Sequence, residues 1–156
     1  MKSRYLWPAY YLLLAVVAVL AFGDLRHHQL GLDDQATFDD NLAISDNPVL
    51  LFAPAGEKHL RSGRPIAELF KWLASLGVGN DAGRFHVVVV VLHLIASGML
   101  ARLSFKLGLR IEASLCGGLL FLLNVAHFGA VHWISAIDYD LALVLGLAAT
   151  FILLRC

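Results

Sequence analysis

Residues 85 to 103 read FHVVVVVLHLIASGMLARL, nineteen residues with two histidines and one arginine among otherwise apolar or small side chains. A membrane-spanning helix takes about 20 mostly apolar residues, whereas a barrel strand takes only about 9–11. The run is therefore read as a transmembrane helix, and it sets the class of the whole chain. Three further runs have the same character: 6–22, 113–134 and 141–154. With 59% hydrophobic and only 15% charged residues, the chain falls well below the roughly one-quarter charge of soluble domains. The expectation is an all-α integral membrane protein with about four transmembrane helices, residues 1–156 forming a single unit. Backbone polar groups must be satisfied internally in lipid, which leaves helices for runs this long.

The formal net charge is zero, so no basic field points to nucleic acid. Cys116 lies in an apolar run and Cys156 ends the chain; both are read as free thiols, since a disulfide framework needs several cysteines. The first run follows Lys2 and Arg4 like a signal peptide. It is long for one, and AFGDL is a weak cleavage site, so it is read as an uncleaved span. Trp7, Tyr10 and Tyr11 sit near its start, where aromatic belts lie.

Basic residues set the orientation. Lys2 and Arg4 precede the first span, Arg102, Lys106 and Arg110 fill the connection after the second, and Arg155 follows the fourth. With four spans these fall on one side, which positive-inside reasoning makes cytoplasmic, together with both termini. The expected location is a bacterial inner membrane. Residues 24–84 become a long extracytoplasmic loop. Within it RPIAELFKWLASLG, residues 64–77, has proline at a first helical position and glycine at a C-terminal cap. Ile66, Leu69, Phe70 and Leu73 follow helical spacing, with Glu68, Lys71 and Ser75 as the polar set. This predicts an amphipathic helix over 65–76 lying on the membrane surface, or else packed on the rest of the loop.

Several polar residues are candidates for chemistry. His86 and His93 share a helix face, and Asn124 with His127 form a second such pair. Polar groups at membrane depth face a bundle interior or a cavity, either as interhelical hydrogen bonds or as functional groups. HFGAVH, residues 127–132, lacks the glutamate of the helical zinc-protease motif, and no G-x-S-x-G elbow or phosphate-cradling loop occurs. No cofactor is specified and no divalent-metal set is marked. The acidic stretch FDDNLAISDNP, residues 38–48, is more distinctive. Asp39 and Asp40, with Asp33 and Asp34 upstream, are either turn and capping residues or general-base candidates beside a low-dielectric surface.

The order of these pieces resembles the membrane-embedded GT-C glycosyltransferases, and in particular the start of the transmembrane and TPR-repeat-containing protein O-mannosyltransferases and their bacterial relatives. The likeness rests on a span followed by FDDNLAISDNP, then GRPIAEL, then FHVVVVVLHLIASGMLARL, then AHFGAVHWIS. It implies that Asp40, or its neighbour Asp39, is the catalytic base on an acceptor hydroxyl. It further implies that Arg64 and Pro65 match an arginine-proline step, that His86 and His93 match two histidines of the next span, and that His127, Trp133 and Ser135 match a third motif. Arg61 and Arg64 would help hold a phosphate, because arginine offers planar bidentate donors. Asp33 and Asp34 belong to the same candidate binding set. Phe128 departs from the family's proline, Val90 from an asparagine, and Asp138 and Asp140 match only loosely. The implied donor is a sugar on a polyprenyl phosphate, held in the bilayer. Such enzymes carry many more spans, so the resemblance implies a fragment, a truncated product or half of a split transferase needing its remaining part. The competing readings are a non-catalytic membrane subunit and a small proton-coupled transporter, the latter lacking the Gly/Pro helix breaks of transporter cores.

Overall fold

The computed structural model describes residues 5–27, 32–52, 64–124, 126 and 128–155. The described residues are all-helical. The α-helices are α1 (Leu6–Phe22), α2 (Leu32–Asp46), α3 (Pro65–Val78), α4 (Ala82–Lys106), α5 (Ile111–Leu122), α6 (Phe128–His132) and α7 (Ile137–Leu153), with short 3₁₀ turns after α1, after α2 and before α7. Three helical stretches are long and apolar enough to cross a membrane: Leu6–Leu25, Ala82–Lys106 and Ile134–Leu153.

Local chemistry explains the boundaries. Asp81 caps α4, its side chain accepting the Arg84 N–H at 2.9 Å, the usual way to satisfy a first-turn donor. Pro65 opens α3, where a missing N–H costs nothing. Gly108, at φ 98°, makes the reversal from α4 into α5, a left-handed conformation that other residues adopt only with strain.

The run expected as one helix over 113–134 is interrupted. α5 has 12 residues and is therefore about 18 Å long, too short to cross by itself. It stops where Asn124 turns the chain: the side-chain Oδ1 accepts the Ala126 N–H at 3.0 Å, an Asx turn that competes with helical bonding. Asn124 thus lies past the helix, and His127, its expected partner on one face, falls outside the described residues. The last span begins earlier than residue 141, at Ile134.

α4 is the central element. At one end of it, Trp7 of α1 meets Phe105 with ring centroids 6.0 Å apart, the Tyr10 hydroxyl donates to the Leu115 carbonyl of α5 at 2.7 Å, and Lys106 Nζ donates to Leu154 O beyond α7 at 3.0 Å. At the other end Phe38 of α2, Phe85 of α4 and Ile134 form one buried cluster. α1 therefore runs antiparallel to α4, and α7 runs parallel to it. Small residues let α5 approach closely: a Cβ on Gly118 would meet Ala101 Cβ and the Ser97 carbonyl oxygen, each at 2.8 Å, as well as the Tyr10 hydroxyl. Small residues at such crossings are the usual means of tight helix packing in lipid.

Candidate functional site

The stretch 38–46, read from sequence as part of a loop, is the second half of α2. A helix places successive residues about 100° apart, so it separates the two aspartates: Asp39 is exposed, touched by Gln35 Nε2 at 3.4 Å, while Asp40 is only 5% exposed. Asn41 is buried beside it, and neither its amide nitrogen nor its oxygen has a hydrogen-bond partner among the described residues. Leaving a buried amide unsatisfied costs about 1–3 kcal/mol. Sequence reasoning passed over Asn41, although its place after the aspartate pair was visible.

Asp34, one turn or more upstream on α2, is buried and accepts the Ser135 backbone N–H at 2.8 Å. It thereby fastens α2 to the 3₁₀ turn that opens the last span. For Asp33 only the backbone, in α2, is described. Arg64, at the N-cap of α3, pairs with Asp138 near the start of α7. Arg61 and His127 lie outside the described residues.

The two histidines of α4 are both buried but serve different surroundings. His93 Nδ1 lies 3.0 Å from Asp140 Oδ1. With the carboxylate as acceptor, Nδ1 is the donor. Its ring stacks on Phe121 at 5.1 Å and meets Phe22 edge-on at 6.4 Å. His86 lines a groove between α1 and α4 of about 640 Å³, together with Ala18, Phe22, Asp24, His27 and Val90. The groove wall is mostly aliphatic, with Asp24, His27 and His86 toward the α2 end. Asp39, Asp40 and Arg64 are not among its lining residues, so this groove does not bring them together with His86. No group of three or more metal-ligating side chains occurs among the described residues.

α3 is helical where expected, with its faces exchanged. Glu68 and Lys71, the expected polar face, are 1% and 4% exposed and form a 2.7 Å ion pair against the protein. Ile66 and Leu76 are 66% and 65% exposed, and Leu69 and Leu73 lie outward between them. Trp72 Nε1 donates to Ser45 Oγ of α2 at 3.0 Å, fixing this orientation. The ion pair is thus turned inward and a stripe of leucine and isoleucine outward.

Across protein families, curated proteins and solved structures, nothing matches this chain.

Proposed function

We propose that this chain is a GT-C-like membrane glycosyltransferase unit, transferring a sugar from a polyprenyl-phosphate donor to an acceptor hydroxyl on the extracytoplasmic side, in concert with the remaining spans of a larger or split enzyme. The observation that carries the reading is Asp40 followed by Asn41: a buried carboxylate, then a buried carboxamide whose nitrogen and oxygen, Asn41 Nδ2 and Oδ1, have no hydrogen-bond partner among the described residues. A carboxylate can take the proton of an incoming hydroxyl while an amide orients it. In the reaction so read, the acceptor oxygen bonds to the sugar's anomeric carbon, the bond from that carbon to phosphate oxygen breaks, and the polyprenyl phosphate leaves. The α1–α4 groove suits an isoprenoid tail, with His27 and His86 near the phosphate end.

The finer topology belongs to the same proposal. α4 and α7 run parallel, so the chain must return across the bundle between Lys106 and Ile137. We read α5 and the segment after it as a broken fourth crossing. This puts both termini, with Arg102, Lys106, Arg110 and Arg155, on the cytoplasmic side of a bacterial inner membrane, and lays the outward stripe of α3 on the opposite surface.

One observation favours a second reading, a non-catalytic membrane subunit. Asp34, Arg64 and His93 each hold another element of the bundle, as structural residues do. The two readings separate in one assay. Transfer from a polyprenyl-phosphate sugar is measured with the complete or complemented enzyme carrying Asp40→Asn or Asp39→Asn. General-base loss lowers turnover about 10²- to 10⁴-fold, expected for Asp40→Asn with little change for exposed Asp39→Asn. Full activity in Asp40→Asn, in protein that folds normally, would remove the catalytic reading and leave the subunit.

A further inference from the structure

At the end of the bundle opposite α2 lies a second cavity, of about 420 Å³, lined by Trp7, Tyr11, Arg102, Lys106, Phe151 and Arg155 among others. α1 starts here and α4 and α7 end here; α4 supplies Arg102 and Lys106, the chain just past α7 supplies Arg155, and α1 supplies the aromatic wall of Trp7 and Tyr11. Arg102 lies over the Trp7 ring, its guanidinium carbon 5.4 Å from the centroid, and Lys106 Nζ is 6.0 Å from the Phe151 centroid. The aromatic walls thus hold the charged heads in place. Lys106 spends one donor on the Leu154 carbonyl. None of the ion pairs among the described residues involves Arg102, Lys106 or Arg155, and no carboxylate lines the cavity. Nearby Glu112 is paired with Arg110 at 3.5 Å, on the outer surface.

Three like charges gathered with no counter-charge among the described residues repel one another. An anion that fits between them removes that cost and gains charge-assisted hydrogen bonds. The surroundings say which kind of anion: tryptophan and tyrosine mark the boundary between hydrocarbon and water, and the cavity lies among the ends of three helices long and apolar enough to cross a membrane. We propose that this cavity binds the phosphodiester headgroup of an anionic phospholipid. It is independent of the transferase chemistry, using none of the candidate catalytic or sugar-donor residues. Basic pockets between spanning helices are a recognised form of headgroup site.

The test uses the full chain, purified in a neutral detergent and exchanged into physiological salt, with bound lipid counted by native mass spectrometry during titration. The probes are dioleoylphosphatidylglycerol, dioleoylphosphatidylcholine and inorganic phosphate. The variants are Arg155→Gln, the triple Arg102→Gln/Lys106→Gln/Arg155→Gln, and an Arg84→Gln/Arg110→Gln control that lowers charge elsewhere. A basic residue near an anionic headgroup contributes about a fivefold gain in affinity, so removing three costs on the order of 100-fold. The expected result is a phosphatidylglycerol preference of tenfold or more over phosphatidylcholine. That preference should fall about fivefold in Arg155→Gln, vanish in the triple variant and persist in the control. Should the triple variant fold poorly, Arg155→Gln, at the exposed end of α7, decides the matter. Equal binding of the two lipids, or equal loss in the control, overturns the proposal. Displacement of phosphatidylglycerol by inorganic phosphate at matched concentration overturns the lipid and assigns the cavity to a free phosphate ion.

Discussion

Replacing Gly118 by alanine adds one methyl group where α5 crosses α4. That methyl carbon would sit 2.8 Å from Ala101 Cβ and 2.8 Å from the Ser97 carbonyl oxygen. Carbon contacts are comfortable at about 3.5–4.0 Å, so the helices must part by roughly 0.7 Å or more along this line. The Ser97 oxygen belongs to the backbone, and no rotamer change relieves it. The Tyr10 hydroxyl, which donates to Leu115 O at 2.7 Å, would be pushed aside as well. Overpacking of this kind costs about 1–3 kcal/mol. Alanine also returns up to about 1 kcal/mol of helix propensity, which would mask part of the loss. Gly117 supplies the correction: it is the neighbouring residue of the same helix, and a Cβ there meets nothing within 4 Å. Gly117→Ala gains the propensity without the clash, and the difference between the two variants isolates the packing term, about 1–3 kcal/mol. The assay is reversible unfolding in mixed micelles at increasing mole fraction of sodium dodecyl sulfate, followed by tryptophan fluorescence. If Gly118→Ala proves as stable as Gly117→Ala, the close α4–α5 crossing described here is wrong.

The buried Glu68–Lys71 pair should behave as a unit. Lys71→Ala removes the ammonium held 2.7 Å from the buried Glu68 carboxylate and should cost about 3–5 kcal/mol, whereas Glu68→Gln/Lys71→Met, which removes both charges, should recover most of that; the same unfolding assay checks it. Asp34→Ala removes the acceptor of the Ser135 N–H and should destabilise by about 1–3 kcal/mol, while raising hydrogen exchange at the start of the last span more than within α5. For topology, a single cysteine at exposed Asn80, in a background with Cys116 and Cys156 replaced by serine, should react with an impermeant maleimide from outside intact cells. A cysteine at exposed Leu109 should react only after permeabilisation, and the reverse pattern would overturn the proposed orientation.

Much of the architecture was legible in the chain itself. The run 85–103 has the length and apolarity that lipid demands of a helix, and α4 covers it. α3 was visible through Pro65 and its helical spacing, and begins at the expected residue. Such features are local, because they depend on composition and on spacing along one segment. Sidedness was not local. The spacing in α3 says that one face is apolar and the other charged, and water would turn the charges outward. Contacts with α2, through Trp72 and Ser45, turn them inward instead. The break after Leu122 depends on a single Asx turn at Asn124, which an apolar run hides. The candidate site divides in the same way. The aspartate pair announced itself in sequence, but only the helical twist of α2 distinguishes buried Asp40 from exposed Asp39. Which partners Asp34, Arg64 and His93 take was decided by residues about 101, 74 and 47 positions away along the chain. Pairings at such separations come from the way helices pack across the bundle, and no local pattern encodes them.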